Sequence, residues 1–325
     1  MVKRFNPDKR RRPKVDDYFG DWKWREALAE SMVPVIGKLF RSGVHLLMYG
    51  RPLSNCSPIE IMKLHRFVRE AEGNELSELE TYPVIEQIAK MKLMPCEIDI
   101  GEMVSDLLDN PEIDASHYVN KSLDGQERTK RSYPLRPKDV VLYGFGRIGR
   151  LITRILVTDT GAGSNWRLRA VVIRDSGHDD DLIKRASLLR NDSVHGTFPG
   201  TIRVNKKNNS LIVNGNEIFI IYANDPRKVK YKEYGIKKAT VIDNTGAWTN
   251  EEGLGQHTRN PSVDKVILTA PAKGKIKNIV FGINDEKMKQ EDKIVAAASC
   301  TTNAIAPPLK LINDAYTCLL YTSPS

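Results

Sequence analysis

A chain of 325 residues suggests about two domains and is long enough to bury a substantial core. Hydrophobic residues make up 40% of it and charged residues 28%, which is ordinary for a soluble protein, and no apolar run approaches the ~20 residues that a membrane-spanning helix needs. The formal net charge of +9 comes mostly from the first 14 residues, which hold seven basic residues and one acidic residue.

We predict that residues 1–17 form a basic, solvated tail, because a nucleic-acid contact would favour interleaved aromatic residues and only Phe5 is present there. No secretory signal pattern opens the chain. The cysteines have irregular spacing without a C-x-x-C pair, which predicts a reducing, cytoplasmic setting and no zinc site. They are Cys56, Cys96, Cys300 and Cys318.

Residues 18–120 are predicted to form a small helical domain. Apolar residues recur at helical intervals over 22–40 and 82–94, and a further helix is expected over 98–108. Ser57-Pro58 is typical of a helix start. The histidines of this segment, His45, His65 and His117, lie near no cluster of metal ligands, so we assign them structural roles. The polar residues 121–138 have the composition of a linker.

A glycine-rich turn follows a predicted strand over 139–143. Gly144-Phe145-Gly146-Arg147-Ile148-Gly149 has the G-x-G-x-x-G spacing and precedes a predicted helix. Gly144 permits a tight turn, Gly146 lets a pyrophosphate approach, and Gly149 lets the helix pack closely. The pyrophosphate would lie over the helix start near Arg147 and Ile148. The pattern alone is weak, but it predicts a dinucleotide-binding domain over 139–299.

The strand predicted over 168–173 strengthens this interpretation because Asp175 follows its end. An acidic residue there accepts hydrogen bonds from the ribose hydroxyls, which favours NAD. Arg174 and Ser176 flank it, which leaves two interpretations: they accept a 2′-phosphate and NADP binds as well, or Arg174 is a solvated surface residue.

The remaining strands of this segment complete an alternating pattern. Asn214-Gly215 predicts a hairpin, and further strands are expected over 240–243 and 266–269. Strands that alternate with helices predict a doubly wound, mostly parallel Rossmann-type sheet of the α/β class, with ligands at the carboxyl ends of its strands.

Cys300 lies between a predicted strand over 294–298 and a predicted helix that begins at Thr301, with Ser299 as its cap. The positive end of a helix dipole stabilises negative charge, which suits a sulfur nucleophile. The hydroxyl groups of Ser299, Thr301 and Thr302 share this terminus and could bind an anion.

Ser299-Cys300-Thr301-Thr302-Asn303 resembles the active-site motif of the phosphorylating glyceraldehyde-3-phosphate dehydrogenase family, and the similarity extends over residues 140–316. The resemblance implies cofactor contacts by Asn224, Thr245, Gly246 and Thr269, and a structural role for His195. It also implies a cytoplasmic homotetramer that uses NAD, with residues 18–120 as the N-terminal extension of a longer subgroup.

The chemistry implied by this resemblance begins when Cys300 attacks the aldehyde of glyceraldehyde 3-phosphate. Hydride transfer to NAD(P) would leave a thioester, which inorganic phosphate, held by Ser299 and Thr301, would convert to 1,3-bisphosphoglycerate. The alternatives are an erythrose-4-phosphate dehydrogenase and a non-catalytic nucleotide- or RNA-binding module.

Some residues depart from the family pattern. Residues 300–325 are expected to be only the start of a catalytic domain, with the catalytic histidine further on, and 317–325 are expected to be a truncation or sequence artefact. The chain itself would then retain nucleotide binding at most. Pro308 beside Pro307 is expected to kink the last helix.

Overall fold

The computed structural model describes residues 18–72, 76–110, 112–125, 137–158, 166–174 and 180–316. The predicted basic tail, most of the predicted linker and residues 317–325 lie outside these ranges. The described residues up to 125 belong to one compact unit and those from 137 onward to another. The domain limits expected from the sequence stay predictions.

The first unit contains five helices and three strands within its described residues. In chain order these are α1 (Tyr18–Ser42), β1 (Val44–Met48), β2 (Arg51–Pro52), α2 (Pro58–Glu72), α3 (Glu78–Lys90), β3 (Cys96–Asp99), α4 (Ile100–Asp109) and α5 (Ala115–Ser122). The strand order is β2-β1-β3, with β1 antiparallel to β2 and parallel to β3.

Helices dominate this unit, as predicted for 18–120, but the prediction did not include this small sheet. The strands have only two to five residues. Alternation of apolar and polar residues over so short a run does not distinguish a strand from the end of a neighbouring helix. β1 begins directly after Gly43, whose φ of 91° ends α1. Parallel pairing of β1 with β3, about fifty residues later, leaves no local pattern in the sequence.

Side-chain caps explain why α3 and α4 begin at other residues than predicted. α3 runs from Glu78 to Lys90, not over 82–94, because Ser77 accepts a hydrogen bond from the N–H of Leu79 and Glu80 accepts one from the N–H of Ser77. The helix predicted over 98–108 begins at Ile100, since Asp99 ends β3 and caps α4.

The core of the first unit encloses two polar interactions. Arg25 forms a bidentate ion pair with the fully buried Glu78 carboxylate: Nε donates to Oε2 at 2.8 Å and Nη2 donates to Oε1 at 3.1 Å. His65 is also fully buried, with Nδ1 2.8 Å from the Ile61 carbonyl oxygen and Nε2 2.7 Å from Thr81 Oγ1. Burial lowers the pKa of His65. Both groups hold helices together within this core.

The second unit alternates strands and helices after the glycine-rich turn. Its elements are β4 (Lys138–Tyr143), α6 (Arg147–Thr158), β5 (Trp166–Ile173), α7 (Asp181–Arg190), β6 (Asn191–Asp192), β7 (Gly196–Thr197), β8 (Ile202–Asn205), β9 (Ser210–Val213), β10 (Asn216–Tyr222), β11 (Ala239–Asp243), α8 (Glu251–Thr258), β12 (Val263–Leu268), β13 (Lys277–Asn278), β14 (Ile294–Ala296) and α9 (Cys300–Tyr316).

Within the described residues, nine of these strands form one sheet in the order β13-β14-β12-β11-β4-β5-β10-β9-β8. The pairs from β13 to β10 are parallel, and β10-β9-β8 form an antiparallel edge. The central strands β4 and β5 are apolar along most of their length, because clusters of buried side chains cover both faces. The predicted Rossmann-type fold is confirmed.

The Asn214-Gly215 hairpin is also confirmed. Asn214 has φ of 46° and Gly215 of 81°, as a two-residue turn with both central residues left-handed requires. The turn sets the register of β9 against β10 and pairs Val213 with Asn216.

α9 runs from Cys300 to Tyr316 and includes both Pro307 and Pro308. The expected kink does not divide it into two helices. These prolines leave the carbonyl groups of Asn303 and Ala304 without helical donors, and both residues are exposed, so water can bind them. In the part of the chain described, no helix combines the length and apolar character needed to cross a bilayer.

The Arg25–Glu78 pair tests how the first unit is stabilised. Arg25→Ala should lower the free energy of unfolding by about 3 kcal/mol, because it leaves a carboxylate buried without its cation. Lys293→Ala is the control, since it breaks a pair with Asp264 whose side chains are 60% and 52% exposed, and should cost less than about 1 kcal/mol. Denaturant unfolding of the full chain measures both, and equal losses would contradict this account.

Candidate nucleotide-binding and cysteine site

The turn between β4 and α6 requires glycine at two positions. Gly144 has φ of 100°, and its N–H donates to the Val172 carbonyl oxygen at 2.8 Å. A Cβ on Gly149 would lie 2.5 Å from the Gly144 oxygen, so the start of α6 can only pack this closely without a side chain. A Cβ on Gly146 would meet nothing within 4 Å. The turn is therefore closely packed underneath and open above Gly146, as a pyrophosphate requires.

A cavity of about 430 Å³ opens beside this turn. Four predicted cofactor contacts line it: Gly144, Gly146, Asn224 and Thr245. Arg174, which the sequence suggested for a 2′-phosphate, lines it too. The cavity therefore gathers residues from five separate segments of the chain at the carboxyl edge of the sheet.

Other predicted contacts lie around the cavity without lining it. Arg147 and Ile148 are exposed in the first turn of α6, and Gly246 is exposed with φ of 66°. The N–H and Oγ1 of Thr269 both donate to the Asp243 carbonyl oxygen at 3.1 Å, which joins the ends of β12 and β11. Asp175 and Ser176 lie outside the described residues. The roles assigned to these residues stay predictions.

Sequence reasoning missed several lining residues, among them Tyr143, Phe145, Arg185 and Trp248. Tyr143 carried a usable signal, because it is the last residue of a strand that precedes the glycine turn. Arg185 carried none, because it lies within α7, which only the fold brings to this edge, whereas Trp248 lies two residues after the predicted contact Gly246. Burial, followed by the charge of Asp243, raises the pKa of Tyr143 to about 12.

The loop that presents Asn224 is held by a charged pair. Asp225 accepts hydrogen bonds from the backbone N–H and the guanidinium of Arg227, and caps a short 3₁₀ helix, Pro226–Lys228. The hydrogen bond from the Arg227 side chain is the largest cause that lowers the pKa of Asp225 to about 2. The loop therefore keeps this ion pair at neutral pH.

His195, which the resemblance treats as structural, belongs to the turn between β6 and β7. Asp192 accepts hydrogen bonds from the backbone N–H groups of Val194 and His195. These donors are the main reason why the pKa of Asp192 is lowered. The His195 side chain is 53% exposed, with Nδ1 3.4 Å from Asp192 Oδ1.

Cys300 is exposed and is the first residue of α9, one residue before the predicted helix start. Ser299 caps the helix as expected, because its Oγ accepts the N–H of Thr302 at 3.0 Å. The same Oγ lies 2.9 Å from Thr301 Oγ1 and 2.7 Å from Thr302 Oγ1. Three hydroxyl groups and a thiol thus share one helix N-terminus, where negative charge is favoured.

The turn before Cys300 is strained and is held by a residue that sequence reasoning left without a role. Ala298 has φ of 58°, which is unfavourable for a residue with a Cβ. Asn303 Nδ2 donates to the carbonyl oxygens of Ala297 and Ser299, at 2.8 and 2.9 Å, and so ties α9 back to the end of the strand. Asn303 therefore helps to fix the position of Cys300.

Strand order relates the cysteine to the glycine turn. Cys300 follows β14 and Gly144 follows β4, and the strands β14-β12-β11-β4 are all parallel neighbours. Their carboxyl ends therefore lie at the same edge. Neighbouring strands are spaced about 4.8 Å apart, so the two strand ends are separated by roughly 14 Å along the sheet.

Comparison with known proteins agrees with this geometry. Residues 138–251 match the family described as glyceraldehyde 3-phosphate dehydrogenase, NAD binding domain. This domain belongs to the glyceraldehyde-3-phosphate dehydrogenase family. The resemblance inferred from the motifs is confirmed, and so is NAD as the cofactor of this domain. The glycine turn fits that cofactor, because it is closed below Gly149 and open above Gly146.

The relatives match different lengths of the chain. A glyceraldehyde-3-phosphate dehydrogenase-like protein of Pseudomonas aeruginosa (strain UCBPP-PA14) is 49% identical over 289 residues, which cover 88% of this chain and 62% of that protein. Glyceraldehyde-3-phosphate dehydrogenase of Thermotoga maritima is 41% identical over 54% of the chain and 50% of its own length. Glyceraldehyde-3-phosphate dehydrogenase of Zymomonas mobilis is 37% identical over 54% of this chain and 49% of its own length.

These lengths show where the similarity lies. The Pseudomonas match extends well into the residues before β4, whereas the other two matches cover about half of the chain. The chain itself spans about half to three fifths of the length of these relatives.

Among the described residues, no group of three or more His, Cys, Asp or Glu side chains could hold a metal ion.

Three glycine variants test the cofactor site. Gly149→Ala should destabilise the fold by about 1–3 kcal/mol, because its Cβ would clash with a backbone oxygen. Gly146→Ala should leave stability nearly unchanged and weaken NAD binding at least about tenfold, since its methyl group enters the space for the pyrophosphate. Thermal unfolding and calorimetric titration with NAD measure the two effects.

Gly255→Ala is the matched control, because this glycine lies in α8 and a Cβ there would meet nothing within 4 Å. It should leave NAD affinity unchanged and should change the free energy of unfolding by no more than about 1 kcal/mol. If Gly146→Ala binds NAD as tightly as the unmodified chain, the pyrophosphate does not lie above this turn.

Proposed function

We propose that the whole protein to which this chain belongs oxidises glyceraldehyde 3-phosphate with NAD and inorganic phosphate to 1,3-bisphosphoglycerate, through a thioester on Cys300. One observation carries this proposal: the strained, capped turn that presents Cys300 lies at the same sheet edge as the glycine turn that fits NAD. The family of the matched domain and the names of the relatives support it.

The sulfur of Cys300 is suited to the first step. It adds to the aldehyde carbon and forms a hemithioacetal, and a general base accepts the hydroxyl proton as hydride leaves that carbon. NAD supplies the hydride acceptor when bound. Exposure of Cys300 gives the aldehyde access, whereas burial raises the pKa of both Cys56 and Cys96, which makes them poorer nucleophiles.

The hydroxyl groups around Cys300 are suited to the second step. Ser299 and Thr301 can bind inorganic phosphate at the start of α9, where the backbone N–H groups and the helix dipole favour an anion. A phosphate oxygen attacks the thioester carbon, the C–S bond breaks, and the acyl phosphate leaves with Cys300 restored as the thiolate. The same helix end thus serves both the nucleophile and the attacking anion.

Other interpretations of the sequence stay predictions. An erythrose-4-phosphate dehydrogenase would use the same cysteine and the same glycine turn. A non-catalytic nucleotide- or RNA-binding module would need neither Cys300 nor its strained turn, so the oxidoreductase is the better account of these residues. The homotetramer and the cytoplasmic location belong to this proposal as well.

The reaction should depend on Cys300 and on phosphate in different ways. Cys300→Ser should reduce NADH formation from glyceraldehyde 3-phosphate by at least about a thousandfold, because the thioester cannot form. Without phosphate, the unmodified protein should form about one NADH per active site and then stop, because the thioester is not cleaved. Rapid-mixing absorbance measurements follow both effects.

Cys96→Ser is the control, since this half-buried cysteine lies in the first unit, and it should retain activity. Full steady-state NADH formation without phosphate or arsenate would contradict a phosphorylating reaction. Activity in Cys300→Ser equal to that of Cys96→Ser would remove the cysteine mechanism.

We also propose that the site accepts NADP. Arg174 and Arg185 both line the cavity, and Arg185 is held by an ion pair with Asp181 at 2.7 Å. Arg174→Ala should weaken NADP binding about tenfold and change NAD binding less than about threefold, because a charged hydrogen bond to a 2′-phosphate is lost. Calorimetric titrations measure both affinities.

Lys184→Ala removes an equal charge from an exposed position on α7 that does not line the cavity, and should affect neither dinucleotide. NADP binding more than a thousandfold weaker than NAD binding in the unmodified chain would contradict this dual use, whatever the variants show.

A further inference from the structure

Asp243 ends β11 with its side chain fully buried behind the cofactor cavity. Its Oδ1 accepts hydrogen bonds from the N–H of Thr245 at 2.8 Å and from Thr245 Oγ1 at 2.7 Å. Its Oδ2 lies 3.0 Å from Nε2 of His257. A buried carboxylate is tolerated only when such donors compensate for lost water. Thr245 and His257 are therefore joined through this carboxylate.

His257 lies on α8, and its side chain is also fully buried. Because the Asp243 carboxylate only accepts hydrogen bonds, Nε2 carries the proton, and Nδ1 finds no hydrogen-bond partner among the described residues. The imidazole packs edge-on against the rings of Tyr143 and Trp248, with centroid distances of 4.7 and 5.7 Å. Both of these aromatic residues line the cofactor cavity.

Thr245 connects this buried pair to the glycine turn. A Cβ on Gly144 would lie 3.0 Å from Thr245 Cγ2, so the threonine packs directly on the turn. The N–H of Asn244 donates to the Tyr143 carbonyl oxygen at 2.8 Å, which ties the same loop to the end of β4. A displacement of Thr245 would therefore change the surface that faces the pyrophosphate.

We propose that His257 is a positioning residue for the dinucleotide. Its hydrogen bond fixes the Asp243 carboxylate that holds Thr245 against the glycine turn, and its ring supports Tyr143 and Trp248 from behind. His257 does not line the cavity, so it acts through Thr245, Tyr143 and Trp248, which do. The inference rests on the proposed function only in requiring that a dinucleotide binds in this cavity. Its loss should weaken cofactor binding and leave the cysteine chemistry intact.

Two polar substitutions separate the hydrogen bond from the presence of a side chain. The amide nitrogen of Gln in His257→Gln can occupy the position of Nε2 and still donate to Asp243, whereas the shorter Asn in His257→Asn reaches only the position of Nδ1. We expect the Gln variant to bind NAD within about threefold of the unmodified chain and the Asn variant about tenfold more weakly. Calorimetric titration of the full chain with NAD measures both.

A second readout distinguishes positioning from a general loss of structure. In turnover of the whole protein, the Asn variant should raise the KM for NAD about tenfold and leave kcat within about threefold. His65→Asn is the matched control, because His65 is equally buried and makes two hydrogen bonds within the first unit, whereas the residues that line the cavity belong to the second unit. It should lower the midpoint of thermal unfolding without changing NAD affinity.

The outcomes are separable. Equal NAD affinity of the Gln and Asn variants would overturn the positioning role and leave the cofactor site in place. Absence of NAD binding in the unmodified chain would overturn the cofactor site and this inference together. Should His257→Asn fail to fold, Asp243→Asn replaces it, since this change removes the charge that strengthens the bonds from Thr245 and His257. Unchanged NAD affinity in Asp243→Asn would equally overturn the proposal.

Discussion

The parallel pairing of β14, β12, β11 and β4 is the constraint on which the candidate site depends. Parallel strands place all their carboxyl ends at one edge, so Cys300, Thr269, Thr245 and Gly144 meet there although they are far apart in the chain. A one-strand change in this order would move the cysteine by about 4.8 Å relative to the glycine turn. The order of these four parallel strands thus decides which side chains lie close enough to contact the same bound molecule.

Close backbone approach and local strain refine the positions that the strand order allows. Gly149 lets α6 begin against the Gly144 oxygen, and Ala298 adopts a left-handed conformation so that Cys300 opens α9. Strain of this kind persists only where neighbouring groups compensate for it, and Asn303 does so with two hydrogen bonds. Behind the cavity, the Asp243 carboxylate accepts hydrogen bonds from Thr245 and His257 and so holds the loop of Thr245.

Much of the second unit could be predicted because its signals are local. The spacing of the glycines, the Asn214-Gly215 turn and the Ser299 cap each depend on a few consecutive residues and on backbone conformations that few residue types adopt. The sheet of the first unit could not be predicted in this way. Its strands are short, and β1 pairs with β3 across a segment of the chain that contains two helices.

The sequence by itself determined the turns, the helix cap, the apolar strands and the order in which they follow one another, since these depend on neighbouring residues. Only the tertiary structure decided that Arg185 and Trp248 line the cavity, that Asn303 holds the cysteine turn, and that His257 lies behind Thr245. Such contacts arise when the sheet folds and buries polar groups that must then find partners, and no spacing along the chain encodes those partners.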